Sequence, residues 1–251
     1  PNESLAYLLK YDTVYGRFNH EVTATEEDLT VNGKKIEAFS VRDPKELPWK
    51  ELDIDVVIES TGIFRDEEGA QQHVDAGAKR VVISAPSKGG NINTYVMGVN
   101  DATHSASEVI IDNASCTTNC IAPVMAVMNN VFGIQKAAMT TIHAYTGDQV
   151  LVDGPHKKDY RRGRSAGMNI IPTSTGAALA TTKVIPELVG KFDGMAVRVP
   201  VAVGSMSDFT FVLKKKVTVE EVNDAIKKAS ENPIYKHVLT YTEDPIVSSD
   251  I

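Results

Sequence analysis

A thiol sits where an apolar strand pattern hands over to a helical one, in the run Ile110–Cys120, IIDNASCTTNC. Glu108 to Ile111 reads as a short β-rich segment, and Ile121, Val124, Met125, Val127 and Met128 then recur at helical spacing. Asn113 and Ser115 are N-cap residue types. A cysteine in the first turn of such a helix meets the positive end of the backbone dipole and unpaired amide protons, which favour thiolate over thiol. Cys116 is therefore the candidate nucleophile, although on position alone an inert, packed thiol fits as well. Cys120, one turn further in, is expected in the core. Two cysteines are too few for a four-ligand structural zinc site, so no metal centre is expected. With no signal peptide they fit a reducing compartment better than a disulfide framework.

Four further groups have chemical potential. Thr140–Gln149, TTIHAYTGDQ, brings His143 to a strand end, where an imidazole serves as an acid–base group or as a satisfied structural residue. Ile171–Ala177, IPTSTGA, places hydroxyls and Gly176 at a helix start, suited to a phosphate or to plain N-capping. Arg198 interrupts the apolar strand pattern Met195–Pro200, and a charge there needs a partner: a phosphate held bidentately, or a buried carboxylate. Lys157, Lys158, Arg161, Arg162 and Arg164 form a basic cluster that is either a solvated loop or an attractor of anions. These residues alone do not choose between hydrolysis, transfer and oxidation.

The elements that must position them follow from periodicity. Short strands at Asp55–Glu59, Arg80–Ser84 and Glu108–Ile111 flank a helix near Glu67–Ala76, which is α/β grammar with a parallel sheet. The second half changes character. Longer strands at Ala137–His143, Met195–Val203 and Phe209–Lys214 are interleaved with helices Gly176–Leu188 and Val217–Glu231. The last helix opens with Thr218 and Glu221 at capping-box spacing and stops before Asn232 and Pro233. We place the domain boundary at Cys116, giving residues 1–115 and 116–251.

With 42% hydrophobic and 24% charged residues, the 251-residue chain can fill one or two ordinary globular cores. No apolar run approaches the ~18 residues of a membrane span, so a soluble, cytoplasmic protein is expected. A net charge of -7 argues against general attraction to nucleic acid. The chain opens at Pro1 on a helical stretch, Leu5–Leu9, and contains no GxGxxG turn; it stops at Ile251 just after an extended segment. A fragment is the expectation.

Taken in order, LLKYDTVYGRF (Leu8–Phe18), ESTGIF (Glu59–Phe64), ISAPSK (Ile83–Lys88), NASCTTNC (Asn113–Cys120), HAYTGDQ (His143–Gln149), NIIPTSTGAA (Asn169–Ala178) and MAVRVP (Met195–Pro200) resemble the glyceraldehyde-3-phosphate dehydrogenase family. The resemblance runs over nearly the whole chain, and NASCTTNC is its most specific part. It implies an incomplete Rossmann-type parallel sheet followed by an α+β catalytic domain with a mostly antiparallel sheet. It implies an enzyme that oxidises glyceraldehyde 3-phosphate to 1,3-bisphosphoglycerate with NAD and inorganic phosphate, through a thiohemiacetal and a thioester on Cys116, with His143 as base. Thr146 and Arg198, with Asp148 beside them, match the binders of the substrate phosphate. Ser115, Thr117, Thr175 and Gly176 match the site of the attacking phosphate, with Arg162 assisting. Arg42, Thr61, Gly62 and Ser84 align with the lining of the dinucleotide groove. Gly154 and Pro155 fall where relatives that prefer NAD over NADP carry a proline. The family implies a homotetramer, with the loop Gly147–Gly167 near neighbouring cofactor sites.

Departures from the family pattern are the glycine-rich turn and ribose-reading acid, whose absence should weaken cofactor affinity, and a C-terminal segment that in the family returns to the cofactor domain. Gly204, within Val201–Ser205, stands where many relatives carry Asn there or next to it, and Leu179 replaces a common lysine. Three rivals remain. A sister enzyme acting on erythrose 4-phosphate is disfavoured by Thr146 and Thr175. A non-catalytic interaction module would be favoured by the missing cofactor segment and the basic run. A cysteine hydrolase needs neither phosphate sites nor a nucleotide groove.

Overall fold

The computed structural model describes residues 1–251. Helix α1 (Asn2–Lys10) leads into a two-residue hairpin, β1 (Tyr11–Asp12) and β2 (Gly16–Arg17), and then a small antiparallel meander, β3 (Val22–Ala24), β4 (Asp28–Val31) and β5 (Lys34–Glu37). This meander lies outside the strands expected from periodicity, yet its signal is in the sequence. Asn32 and Gly33 take φ of 51° and 78°, the left-handed pair that an Asn-Gly hairpin turn requires.

Next comes the parallel sheet: β6 (Val56–Glu59), helix α2 (Glu67–Asp75), β7 (Arg80–Ile83), β8 (Asn93–Thr94) and β9 (Ile110–Asp112), paired in the order β6-β7-β9-β8 with every neighbour parallel. Val57, Ala70, Ala78, Val81 and Ile83 form its compact core under α2. Asp66 caps α2 by accepting the Gly69 N–H at 2.8 Å.

Helix α3 (Cys116–Phe132) follows, then β10 (Ile134–Ala144), β11 (Ile171–Ser174), α4 (Ala177–Val184), β12 (Phe192–Val199), β13 (Ser205–Leu213) and α5 (Val219–Glu231). The second sheet runs β11-β12-β10-β13; β10 is parallel to β12, and the two remaining pairs are antiparallel. Together the sheets give the expected α/β architecture. Ile121, Met125 and Met128 on α3, Ala177 and Ala178 on α4, and Met139 and Phe192 on the sheet join one core of 17 buried residues. Burial at about 25 cal/mol per Å² of apolar surface makes this layer the support of everything at its edge. The α5 capping box is formed: Glu221 N–H donates to Thr218 Oγ1 at 3.2 Å, and Thr218 N–H donates to Glu221 Oε2 at 2.8 Å.

Three expectations need correction. The helix read as Gly176–Leu188 stops at Val184, because Pro186 drives Ile185 out of helical geometry to φ −129°, ψ 80° and a separate 3-10 turn takes over. The strand read as Met195–Val203 ends at Val199, since Pro200 has no N–H to give the ladder, and β13 starts early, at Ser205. Cys120 is exposed rather than in the core: as residue i+4 from Cys116 it shares that residue's open face. Gly204 has φ 84° in the turn between β12 and β13, a region that glycine enters without strain. No helix is long and apolar enough to cross a membrane.

Candidate active site

Cys116 is the first residue of α3. Ser115 is the N-cap, accepting the Thr118 N–H at 3.0 Å, and its hydroxyl also lies 2.7 Å from Thr118 Oγ1. Cys116 is an exposed residue, and its sulfur lies 3.5 Å from His143 Nε2. The hydrogen bond with His143 holds the thiol down at about 7, against the opposing pull of burial, with further help from the imidazole charge and Thr117. His143 moves the other way: the same bond raises its pKa, burial and the Arg198 charge oppose, and the Ala144 carbonyl adds to the rise. Opposite shifts on two touching groups favour a thiolate beside an imidazolium. Cys120 carries no such activation: although the residue reaches solvent, partial desolvation of its sulfur pushes the thiol up, against the opposite pull of Ser207.

The tautomer of His143 is settled by its other nitrogen. Nδ1 lies 2.8 Å from the Ala144 carbonyl, which can only accept, so Nδ1 carries a proton and Nε2 faces the sulfur. Arg198 Nη1 lies 3.3 Å from the same Nδ1, but its two hydrogens are directed to Ala144 O at 2.9 Å and Thr146 Oγ1 at 2.8 Å. Two donors do not bond, so this approach is a contact only. His143 and Arg198 are register partners on β10 and β12, which places both side chains on the same face of the sheet.

Arg198 is half-buried and no carboxylate bonds it. Its Nε is buried without a partner. Burial lowers its pKa, while the charge of Asp148 raises it. The carboxylate instead belongs to Arg162: Asp148 Oδ2 accepts from Arg162 Nη1 at 2.8 Å, and Asp148 Oδ1 accepts from Thr146. Burial works to raise the Asp148 carboxyl, but Thr146 and the Arg162 and Arg198 charges outweigh it and leave it lowered. Arg162 Nε also donates to Thr173 Oγ1 at 3.0 Å. Thus Thr146, Asp148, Arg162 and Arg198, which the family pattern divides between two phosphate sites, form one connected set. Thr175 and Gly176 lie at the start of α4, where the Ala177 N–H donates to Thr175 Oγ1 at 3.1 Å and Gly176 is a cap without a side chain. Thr117 is buried in the first turn of α3.

The basic cluster is largely neutralised. Arg161 pairs with Asp159 at 3.2 Å, Arg162 with Asp148, and Arg164 with Asp153 at 2.8 Å. Three of its five cations thus have carboxylate partners, which weakens it as a free anion-binding face. No grouping of His, Cys, Asp and Glu side chains suited to a metal ion is present.

On the parallel sheet, Thr61 and Gly62 follow the end of β6 and Ser84 follows the end of β7, with the Ser84 N–H donating to Glu59 O at 3.0 Å. They sit together at the carboxyl edge of the sheet, where α/β folds bind ligands. Arg42 is exposed in the bend before the 3-10 turn Pro44–Glu46, and no side-chain bond ties it to that edge. Sequence reasoning missed what lies beneath. Trp49 Nε1 donates to His73 Nδ1 at 3.1 Å, so His73 carries its proton on Nε2 and donates it to Glu59 Oε2 at 3.0 Å. Glu59 Oε1 accepts both the Thr61 N–H, at 2.8 Å, and the Thr61 hydroxyl. A glutamate in the apolar run VVIE was the available signal, since a buried charge requires partners.

Comparison with known proteins adds a second line of observation. Residues 115–251 match the family model described as glyceraldehyde 3-phosphate dehydrogenase, C-terminal domain, and residues 1–67 match that of the NAD binding domain of the same enzyme. The chain belongs to the glyceraldehyde-3-phosphate dehydrogenase family. It is 55% identical to the glyceraldehyde-3-phosphate dehydrogenase of Streptomyces coelicolor over 98% of this chain and 73% of that protein. It is 54% identical to the Clostridium acetobutylicum enzyme, over 98% and 72% of the two chains, and 51% identical to glyceraldehyde-3-phosphate dehydrogenase 1 of Kluyveromyces lactis, over 98% and 73%. The cysteine of NASCTTNC is the residue that stands 3.5 Å from the imidazole described above.

Proposed function

We propose that the protein catalyses NAD-dependent oxidation and phosphorylation of glyceraldehyde 3-phosphate to 1,3-bisphosphoglycerate, with Cys116 as nucleophile and His143 as acid–base partner. The observation that carries this reading is the 3.5 Å approach of sulfur and Nε2, with the thiol held at about 7. The Cys116 thiolate attacks the aldehyde carbon, and His143 gives its Nε2 proton to the nascent oxygen, forming the thiohemiacetal. The Cys116 backbone N–H, unpaired as the first amide of α3, would donate to that oxygen while it is charged. As the carbon is oxidised His143 takes the proton back, leaving a thioester. Inorganic phosphate attacks the acyl carbon, and thiolate departs with the C–S bond. Sulfur suits this exchange because its ester stays reactive toward phosphate.

Arg198 and Thr146 hold the substrate phosphate, with no carboxylate bonded to the guanidinium to compete for it. Ser115, Thr117, Thr175 and Gly176, assisted by Arg162, receive the attacking phosphate at two helix starts. Asp148 orients Arg162 between the two sites.

When bound, NAD supplies the hydride acceptor. The carboxyl edge of the parallel sheet fits it: Gly62, at φ 77° with no atom within 4 Å of where a Cβ would stand, lets backbone come close to a ligand. Thr61, Gly62 and Ser84 would hold the dinucleotide there, with Arg42 reaching in from its bend. Residues 1–115 then serve the cofactor and 116–251 the chemistry.

The test is phosphate-dependent NADH production: Cys116→Ala should abolish it, and a variant that keeps it would overturn the assignment of the nucleophile. Turnover of erythrose 4-phosphate above that of glyceraldehyde 3-phosphate would replace the substrate. We further propose a homotetramer, supported by Leu151, Val152 and Met168 standing 76%, 80% and 83% exposed in and beside the loop Gly147–Gly167. Sedimentation as a monomer would refute it. A cytoplasmic location is proposed on the need to keep Cys116 reduced.

A further inference from the structure

The turn that presents Cys116 is built around a buried carboxylate that the reaction does not use. Asp112, the last residue of β9, is 0% exposed and no cation pairs with it. Three donors converge on it instead. Oδ1 accepts the Ala114 N–H at 2.8 Å; Oδ2 accepts the Thr94 hydroxyl at 2.9 Å and the Ser87 N–H at 3.2 Å. Burying a carboxylate is costly unless such bonds replace its water. Ala114 takes φ 55°, a left-handed conformation unusual for alanine, and is itself 1% exposed. That reversal turns the chain from β9 so that Ser115 can cap α3 and Cys116 becomes its first residue. The bond from the Ala114 N–H closes the aspartate-headed turn that selects this geometry. Ser87, held by the other oxygen, belongs to the segment Ile83–Lys88 at the cofactor edge, and Thr94 lies on β8.

We infer that Asp112 is a positioning residue: one carboxylate oxygen fixes the reversal at Ala114 that aims Cys116 at His143, and the other ties the Ser84–Ser87 loop to the same point. The inference rests on the reading of Cys116 as the nucleophile, but its test does not need turnover.

In a Cys120→Ser background, alkylation of Cys116 by iodoacetamide is followed against pH for three changes. Asp112→Ala removes both arms and should slow alkylation at pH 7 at least fivefold, with its midpoint moved upward. Adding Ala114→Gly to Asp112→Ala should restore the rate to within twofold, because glycine takes a positive φ without the carboxylate. Asp112→Asn keeps an oxygen for Ala114 but turns an NH2 toward Ser87, so the Ser87 amide should exchange with solvent at least tenfold faster while the Ala114 amide and the alkylation profile stay as in the parent. Should Asp112→Ala not fold, the exchange pattern of Asp112→Asn decides. A parent-like profile for a folded Asp112→Ala, no recovery with glycine, or equal behaviour of the two amides in Asp112→Asn overturns the inference. A parent in which Cys116 reacts no faster than an ordinary thiol instead sinks the nucleophile assignment itself.

Discussion

Replacing His143 by Asn isolates the contact that lowers the Cys116 thiol. The Cys116 thiol stands at about 7 against an ordinary 9.0, and the bond to His143 is the largest cause. At pH 7 a thiol of pKa 7 is about half ionised and one of pKa 9 about 1% ionised, so loss of the whole shift leaves roughly one fiftieth of the thiolate. Each remaining thiolate is more nucleophilic, by about six- to tenfold for two units at a Brønsted slope of 0.4–0.5. The net expectation is a thiol–disulfide exchange rate roughly five- to eightfold slower at pH 7. Above about pH 8.2 the order reverses, because the parent is by then almost fully ionised while the variant's growing thiolate fraction is the stronger nucleophile. The assay is reaction of the Cys120→Ser protein, with and without His143→Asn, with an aromatic disulfide across that pH range. In the variant the burial of the thiol persists alongside the helix mouth and Thr117, so its midpoint stays near the ordinary value. Superimposable profiles would refute the reasoning, since the acidity of Cys116 would then owe nothing to the imidazole.

Arg198→Met should raise KM for the triose phosphate a hundredfold or more, two charge-assisted bonds being worth about 1.5–3 kcal/mol each, whereas Arg198→Lys keeps the charge and loses the fork; steady-state kinetics separates them. Asp148→Asn changes acid stability. A lowered carboxyl stabilises the fold above its ordinary 3.8 and surrenders that as pH falls through the lower folded value, so the parent should lose more Tm than the variant between about pH 5 and 3. With Asp148 40% exposed the difference stays within about 1 kcal/mol. Trp49→Phe strands the buried His73 Nδ1 at a cost of about 1–3 kcal/mol, read by urea denaturation, and by loosening Glu59 and Thr61 should raise KM for NAD more than it lowers kcat.

What could be read in advance was local. The place of Cys116 at the mouth of α3, the Thr218 capping box and the α2 and β7 limits all arise from neighbours within a few residues. The ion pairs of Arg161 and Arg164 also lie within a dozen positions, but a short loop permits several pairings and none is marked by spacing. The Cys116–His143 approach and the pairing of His143 with Arg198 span 27 and 55 residues and depend on how α3 lies across a sheet. Glu59 left a signal in its apolar run, but its partners Trp49 and His73 lie at a distance along the chain, and Asp112, at a strand end, reads as a solvated residue until the loops above it are known.

Because β10 and β12 run side by side in the same direction, His143 and Arg198 face one another at equal height along the ladder. A slip of one position would turn the guanidinium to the opposite surface of the sheet while the imidazole stayed put. The cation can therefore be lost by mispairing but not gradually misplaced by it. The guanidinium and the imidazole are inherited together from a single act of sheet assembly, and a chain that pairs these strands correctly has already set both.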